Sequence, residues 1–352
     1  MENIFDYSFD ELRGLLTPSF RAKQVWNWLY IHYEDDFSMM INLPKEMRNK
    51  LKEQFSAKNL DIANIALSND GTKKYLFQTN DNHTFESVFL KMKEKEFDEN
   101  GNIKSGEKFT ICISSQIGCK IGCKFCCTGN NGFTRNLSTG EIVEQVVAIK
   151  KDNHIAPEKC VNIVYMGMGE PLDNFDNLIK AIKTISHIDG LSISTRRQTI
   201  STSGISPMIN VLGDLNLGVQ LAISLHAVND TTRNKLMPIN KVYNINSIIE
   251  SVKNFPIDTR KRVMFEYLMI KDINDRLDDA RDLLRLLDGI KAKVNLILFN
   301  PFECSEFKRP SFENAKKFAD YLYNKGLLCT IRESKGIDID AACGQLKYKN
   351  EK

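Results

Sequence analysis

The sequence has no apolar run long enough to cross a membrane; the longest, such as VNLILF at 294–299, are strand-sized. Its opening residues, MENIFDYSFDELRGLL, are acidic and lack a basic stretch followed by an apolar one, so no secretory signal is expected. Internal repeats and low-complexity segments are also missing. A net charge of +3 is too small to announce nucleic-acid binding, which has to be argued from local basic patches. Hydrophobic content of 42% and charged content of 26% are those of an ordinary soluble globular protein. At 352 residues the chain holds one large domain and a smaller one, with ample core. Nine cysteines is an odd number, and without a secretory signal they read as reduced thiols of a cytoplasmic protein.

What is present in strength is one stretch, CISSQIGCKIGCKFCCTGNNGFTR, from Cys112 to Arg135. Within it Cys119, Cys123 and Cys126 form a C-x3-C-x2-C triplet among Gly118, Gly122, Gly129 and Gly132. No further Cys or His follows at zinc-ribbon or zinc-finger spacing. Three thiolates on a short glycine-rich loop can hold three irons of a [4Fe–4S] cube and leave the fourth iron open to a small molecule. Electron-transfer clusters are usually closed by four cysteines. An open corner therefore points to chemistry at the metal. A spacing through Cys127 would also serve; Cys126 is the preferred third ligand.

The first 60 residues read as helical. Ser8 or Asp10 can cap FDELRGLL, Pro18–Ser19 breaks the chain, and Val25, Trp28 and Leu29 fall on one face of the next helix. From Lys45 to Lys58 five basic residues (Lys45, Arg48, Lys50, Lys52, Lys58) face two acidic ones, which suits either a solvated helix face or an RNA-facing surface. Residues 61–92 alternate like strands, and DENGNIKSG at 98–106 is turn-rich. From Phe109 on, FTICISS, NIVYMG, RQTIST, VQLAISL, RVMFEYLMI and VNLILF alternate with helix-like segments, and a further helix and the strand LLCTIRE follow. About six strand–helix units imply the α/β class: a partial (βα)6 barrel of the TIM type. The expected organisation is a helical accessory domain at 1–60, a β extension at 61–107, the barrel core at 108–335 and a tail at 336–352.

In such barrels functional residues sit on loops at the C-terminal strand ends. The cysteine loop follows the first strand, GMGEP the second, STSG the third, SLH the fourth and FNPF the sixth, so all converge on one mouth. Gly169 permits close approach of backbone to a ligand, and Glu170 can accept from an amine. Ser201 can bond a carboxylate or hydroxyl, or cap a helix. His226 suits ligand contact or a satisfied core position, and Asn300 suits ribose or base edges, or a turn before Pro301. Cys112 alternates toward the barrel interior, Cys343 lies in the tail beside Gly344, and Cys160, Cys304 and Cys329 read as filler.

The string SSQIGCKIGCKFCCTGNNGFTRNLSTGEI, followed in order by MGMGEP, STSG, SLH, NLILFNPF and IDAACGQL, closely resembles the radical S-adenosylmethionine RNA methyltransferases of the RlmN/Cfr family. The likeness runs through the whole chain, with RAKQVWNWLY and LPKEMRNKLKEQF near the start, and departs at Cys127, where a small residue without a thiol is expected. It is nearest to the branch (RlmN type) that methylates C2 of adenosine in 23S rRNA, in the peptidyl transferase centre, and in certain tRNAs next to the anticodon. A sister branch (Cfr type) methylates C8; a non-catalytic zinc and RNA-binding protein is the remaining alternative.

The resemblance implies a role for each motif residue. Cys119, Cys123 and Cys126 would hold the [4Fe–4S] cluster. Gly169, Glu170, Ser201, Ser224, Leu225, His226 and Asn300 would bind S-adenosylmethionine, consumed twice per turnover. Cys343 would take a methyl group from the first molecule as a nucleophile. A deoxyadenosyl radical from the second would abstract hydrogen from that S-methyl group, and the carbon would add to the non-nucleophilic C2. Glu86 would accept the C2 proton. Cys112 would attack the Cys343 sulfur, releasing product and leaving a transient disulfide. The implied partners are 23S rRNA, tRNA and an electron donor such as flavodoxin or ferredoxin, with no membrane and a monomer as the expected state. TRR at 195–197 and TRKR at 259–262 are further phosphate-contact expectations.

Overall fold

The structure is a computed structural model that describes residues 1–94, 96–97, 103–258, 261–302 and 305–347. Thr259 and Arg260 of TRKR, Cys304 and residues 98–102 of DENGNIKSG lie outside these.

Three short helices open the chain: Phe9–Leu15, Arg21–Tyr30 and Lys45–Gln54. The first starts at Ser8 through a reciprocal capping box with Glu11, which satisfies two otherwise free N–H donors. In the second, the buried aromatic is Trp26, not Trp28: Ala22, Val25, Trp26, Leu29 and Tyr30 face the core. Trp28 stays partly exposed, because its indole N–H donates to Asn42 at 2.7 Å. An indole with an accessible partner keeps its polar edge at the surface.

Ten strands form one sheet: β1 (Leu60–Leu67), β2 (Lys73–Thr79), β3 (Thr84–Lys93), β4 (Lys108–Cys112), β5 (Val161–Tyr165), β6 (Gln198–Thr202), β7 (Gln220–Ser224), β8 (Val263–Met269), β9 (Ala292–Leu298) and β10 (Cys329–Arg332). Their spatial order is their chain order, and β1 and β10 stand at opposite edges. The barrel is therefore partial. Pairing is antiparallel from β1 to β4 and parallel from β4 to β10. The six units expected from periodicity are β4 to β9 with their helices, and LLCTIRE supplies a seventh parallel strand.

The parallel strands carry nearly continuous apolar runs because helices cover their outer face. Ile111, Ile163, Ile200, Ile223, Phe265 and Leu296 are fully buried, one from each of β4 to β9. One apolar core runs from the N-terminal helices into the barrel. Asp6 reinforces that junction by accepting from the N–H of Gly140 at 2.6 Å, in the first turn of the helix Thr139–Asp152.

The last described residues close over the mouth. Asp338 accepts from the Ser68 hydroxyl at 2.6 Å and the Asn69 N–H at 3.1 Å, and Asp70 accepts from the Gly336 N–H at 2.9 Å. Further on, the carbonyls of Gly344 and Leu346 accept from Cys127 N–H at 2.8 Å and the Thr128 hydroxyl at 2.6 Å. The tail is thus seated on the β1–β2 turn at one end and on the cysteine loop at the other.

Candidate active site

The cysteine loop is shaped by its glycines and held at both ends. Gln116–Gly118 pairs antiparallel with Phe133–Asn136, and Cys119 N–H donates to the Gly132 carbonyl at 2.7 Å. Gly118 adopts φ +77°, and a Cβ there would stand 2.1 Å from the Gly132 carbonyl oxygen, so no other residue fits. At the loop centre Lys124 N–H donates to the Leu236 carbonyl at 2.9 Å.

One cavity at the C-terminal strand ends is lined by Cys119, Cys123 and Cys126 together with Gly169, Glu170, Ser201, Ser224 and His226. Cys343 and Gly344 close its rim from the tail. Eight of the expected site residues, and Cys343, therefore meet in one place. Four others do not line it. Leu225 is a fully buried core side chain whose carbonyl faces Arg233 instead. Asn300 is buried, with its Oδ1 taken by Arg309 at 2.9 Å. Cys112 is buried behind the wall, close enough to Cys343 for the two charges to interact. Glu86 lies outside the cavity, under the tail.

Glu86 is not solvated, although it stands in a strand with polar neighbours. It is buried, pairs with Lys74 at 3.0 Å and accepts from the backbone N–H of Lys347 at 2.9 Å. Burial pushes its carboxyl up, and Lys74 works against that shift.

The charges around the cavity explain what it suits. Burial pushes the Cys119 thiol up to about 12 and the Cys123 and Cys126 thiols upward too; the Cys126 charge adds to the first two and the Cys343 charge to the third. A cationic metal group reverses that balance, since coordination deprotonates thiols outright. Among the described residues no three His, Cys, Asp or Glu side chains close on a single metal ion. Three thiols spread around a cavity fit a cluster better than one zinc ion. Buried polar atoms without partners among the described residues remain nearby: Glu266 Oε2, on the cavity wall, and Asn300 Nδ2. Such atoms suit a polar ligand, because leaving them unpaired costs about 1–3 kcal/mol each.

Glu170 accepts from Ser203 N–H at 2.7 Å and Leu172 N–H at 3.2 Å, which fixes its carboxylate at the wall. Gly169 has φ +99°, and a Cβ there would meet the backbone nitrogen of Gln116 at 2.8 Å. His226 Nδ1 accepts from Leu268 N–H at 3.0 Å, so its one proton sits on Nε2. Burial and then the Arg233 charge push it down to about 3. The ring stays neutral and can donate.

Two charged residues of the cavity, Arg332 and Glu266, carry no motif that marks them in the sequence. Arg332 ends β10 and lines the cavity; it is held protonated by Cys343 first, with Glu266 and Cys112 adding. Glu266, in the middle of RVMFEYLMI, is buried on the same wall. The available signals were an acid inside an apolar strand and a cation at the mouth end of the last one. The disulfide expectation is not supported: Cys112 and Cys343 are both free thiols here. A link that forms only during turnover leaves no mark on the resting geometry.

The basic stretches divide. Lys45 and Lys50 are exposed on the third helix, with Lys50 paired to Glu46 at 2.9 Å. Arg48 instead donates to the Ser38 carbonyl at 2.5 Å and braces a turn. Thr195–Arg197 and Arg262 precede β6 and β8, which puts them at the end of the barrel opposite the mouth.

Residues 113–287 match the model of the radical SAM superfamily, and residues 3–56 match the ribosomal RNA large subunit methyltransferase N-terminal domain. The chain is 63% identical over 349 residues to the dual-specificity RNA methyltransferase RlmN of Wolinella succinogenes, covering 99% of this chain and 97% of that one. The chain belongs to the RlmN family of radical SAM RNA methyltransferases. The RlmN of Helicobacter hepaticus is 59% identical over 347 residues, with 99% and 94% covered. A radical SAM methyltransferase from Sphaerobacter thermophilus superposes with a TM-score of 0.90 at 38% identity, over 98% of this chain and 99% of that one. Membership of the RlmN family implies a [4Fe–4S] cluster and S-adenosylmethionine, which the three-thiol rim and the polar wall fit. No helix among the described residues is long and apolar enough to cross a membrane.

Proposed function

We propose that this chain methylates C2 of adenosine, in the peptidyl transferase centre of 23S rRNA and next to the anticodon of tRNAs, through a methyl group carried on Cys343. The dual specificity in the names of the Wolinella and Helicobacter relatives supports two RNA classes. One observation carries the mechanism: Cys343 opens onto the same cavity as Cys119, Cys123 and Cys126. A thiol that the tail holds at that rim is placed to take part in its chemistry, which supports the reading.

The residues divide the work. Cys119, Cys123 and Cys126 would hold the cluster, and the Gly169–Glu170 wall, Ser201, Ser224, His226 and Asn300 would orient S-adenosylmethionine. Cys343 first attacks the methyl carbon of one such molecule; the S–CH3 bond forms as the sulfonium bond breaks. When bound, the cluster would supply one electron to a second S-adenosylmethionine molecule, the source of a carbon radical. Cys343 then gives up one hydrogen atom from its S-methyl group and joins C2 through that carbon. Glu86 takes the C2 proton, the adduct gives back one electron to the site that supplied it, and the aromatic ring is restored with a thioether linking Cys343 to RNA. Cys112 attacks the Cys343 sulfur and its proton goes to the departing methylene. The products are a methyl group on RNA and a disulfide, which a two-electron reductant reopens.

The target base must leave its stack to reach this mouth. Residues 1–60 act as the RNA-docking module, with Lys45 and Lys50 as phosphate contacts, and 61–107, 108–335 and 336–352 as extension, catalytic barrel and methyl-carrying tail. The working form is a cytoplasmic monomer served by a flavodoxin- or ferredoxin-type donor. The test is the mass of the Cys343 peptide from protein purified with its cluster. One added methyl group is expected on that cysteine, and an unmodified peptide after incubation with S-adenosylmethionine contradicts the proposal.

A further inference from the structure

Arg233 is fully buried, on the helix Asp230–Leu236 behind the cavity. Its guanidinium donates from Nε to the Leu225 carbonyl at 2.9 Å, from Nη1 to Asn240 Oδ1 at 2.8 Å, and from Nη2 to the carbonyls of Ser203 at 2.6 Å and Ser224 at 3.0 Å. All four acceptors are neutral. They tie together the ends of β6 and β7, the two strands that present Ser201 and Ser224 to the cavity.

A buried cation with only neutral partners is unfavourable unless an anion compensates it nearby. The helix points to where that anion is. Its last residue, Leu236, accepts from Lys124 N–H at 2.9 Å, one residue after Cys123. Leu236 and Met237 form a small apolar cluster with Phe125, and Cys123 and Cys126 pack against it. Cys123, once it is a thiolate, and then the exposed Asp230 are the groups that offset the Arg233 charge.

We infer that Arg233 is a positioning residue for the cluster site: it fixes the ends of β6 and β7 and is the buried countercharge of the cysteine rim on its Cys123 side. The inference rests on the family's [4Fe–4S] cluster occupying that rim. Reduction adds one negative charge to the cluster. A fixed cation at this range, in a partly desolvated setting, favours the reduced form.

The test is a reductive titration of the full chain after anaerobic reconstitution, without S-adenosylmethionine, following the electron paramagnetic resonance of the reduced cluster and counting iron. Arg233→Gln keeps part of the hydrogen bonding and removes the charge. It should make reduction harder by on the order of tenfold, about 59 mV for one electron. Arg233→Lys keeps the charge and should stay within about twofold of wild type. Asp230→Asn removes the anion that offsets Arg233, so it should ease reduction by about twofold. A full iron count with an unchanged potential in Arg233→Gln overturns the inference. Should Arg233→Gln not fold or hold iron, Asp230→Asn decides: an eased reduction supports the countercharge, and an unchanged or lowered potential overturns it. Wild-type protein that forms no [4Fe–4S] signal would sink the cluster reading itself, and this inference with it.

Discussion

Glu86 accepts a hydrogen bond from the backbone N–H of Lys347 at 2.9 Å, four residues beyond Cys343. Its other oxygen pairs with Lys74, which also donates to the Asp340 carbonyl at 3.3 Å. The proposed proton acceptor therefore doubles as the seat of the tail that bears Cys343. Glu86→Gln leaves an oxygen for Lys347 but cannot act as a base; Glu86→Ala removes both functions. Amide deuterium exchange across 341–347 should be nearly unchanged in the Gln variant and faster by on the order of tenfold in the Ala variant, while both lose methylation. Equal exchange in Glu86→Ala and wild type contradicts the seat.

Burial pushes the Cys112 thiol up to about 12; the Cys343 charge adds to this and Arg332 opposes it. At neutral pH Cys112 is thus a thiol with a proton to give, as release of a methylene requires. Cys112→Ala should stall turnover after the carbon–carbon bond has formed. Denaturing gels should then show RNA covalently attached to protein, with free methylated RNA reduced more than roughly tenfold. Release of product at the wild-type rate would remove Cys112 from the mechanism.

His226 is the clearest source of pH-dependent stability. Its folded value of about 3 lies below the ordinary 6.5, so between these limits the unfolded chain binds the extra proton. The stabilisation is present above 6.5 and is lost progressively as pH falls toward 3. His226 has φ +57°, a region that asparagine tolerates, so His226→Asn keeps the backbone. Urea unfolding across this window should show a shallower loss of stability in His226→Asn than in wild type. Parallel curves would mean that His226 is not held neutral.

Much of the mouth was legible because parallel strands place every strand-end motif on one side. The glycines of the cysteine loop, Gly169–Glu170, Ser201 and His226 could be placed from order alone. Trp26 and Trp28 were confused because both fit a helix face; a partner at Asn42, far off in sequence, decides which stays at the surface. The burial of Glu86 is hidden from local sequence for a similar reason. Its burial depends on Lys74 from the neighbouring strand and on a tail more than 250 residues away. Arg233 reads as a solvated helix cation in DTTRNKL, and only the tertiary fold turns its face inward. The antiparallel continuation of the barrel sheet through β1, β2 and β3 is another long-range pairing that local alternation does not reveal.

The most direct test is mass spectrometry of nucleosides from 23S rRNA and tRNA of cells with the protein, without it, and with Cys343→Ala. Loss of 2-methyladenosine from both RNAs in the second and third cases is predicted, with no 8-methyladenosine in the first. Persistence of 2-methyladenosine without the protein, or in Cys343→Ala, would contradict the assignment of this cysteine and of the reaction.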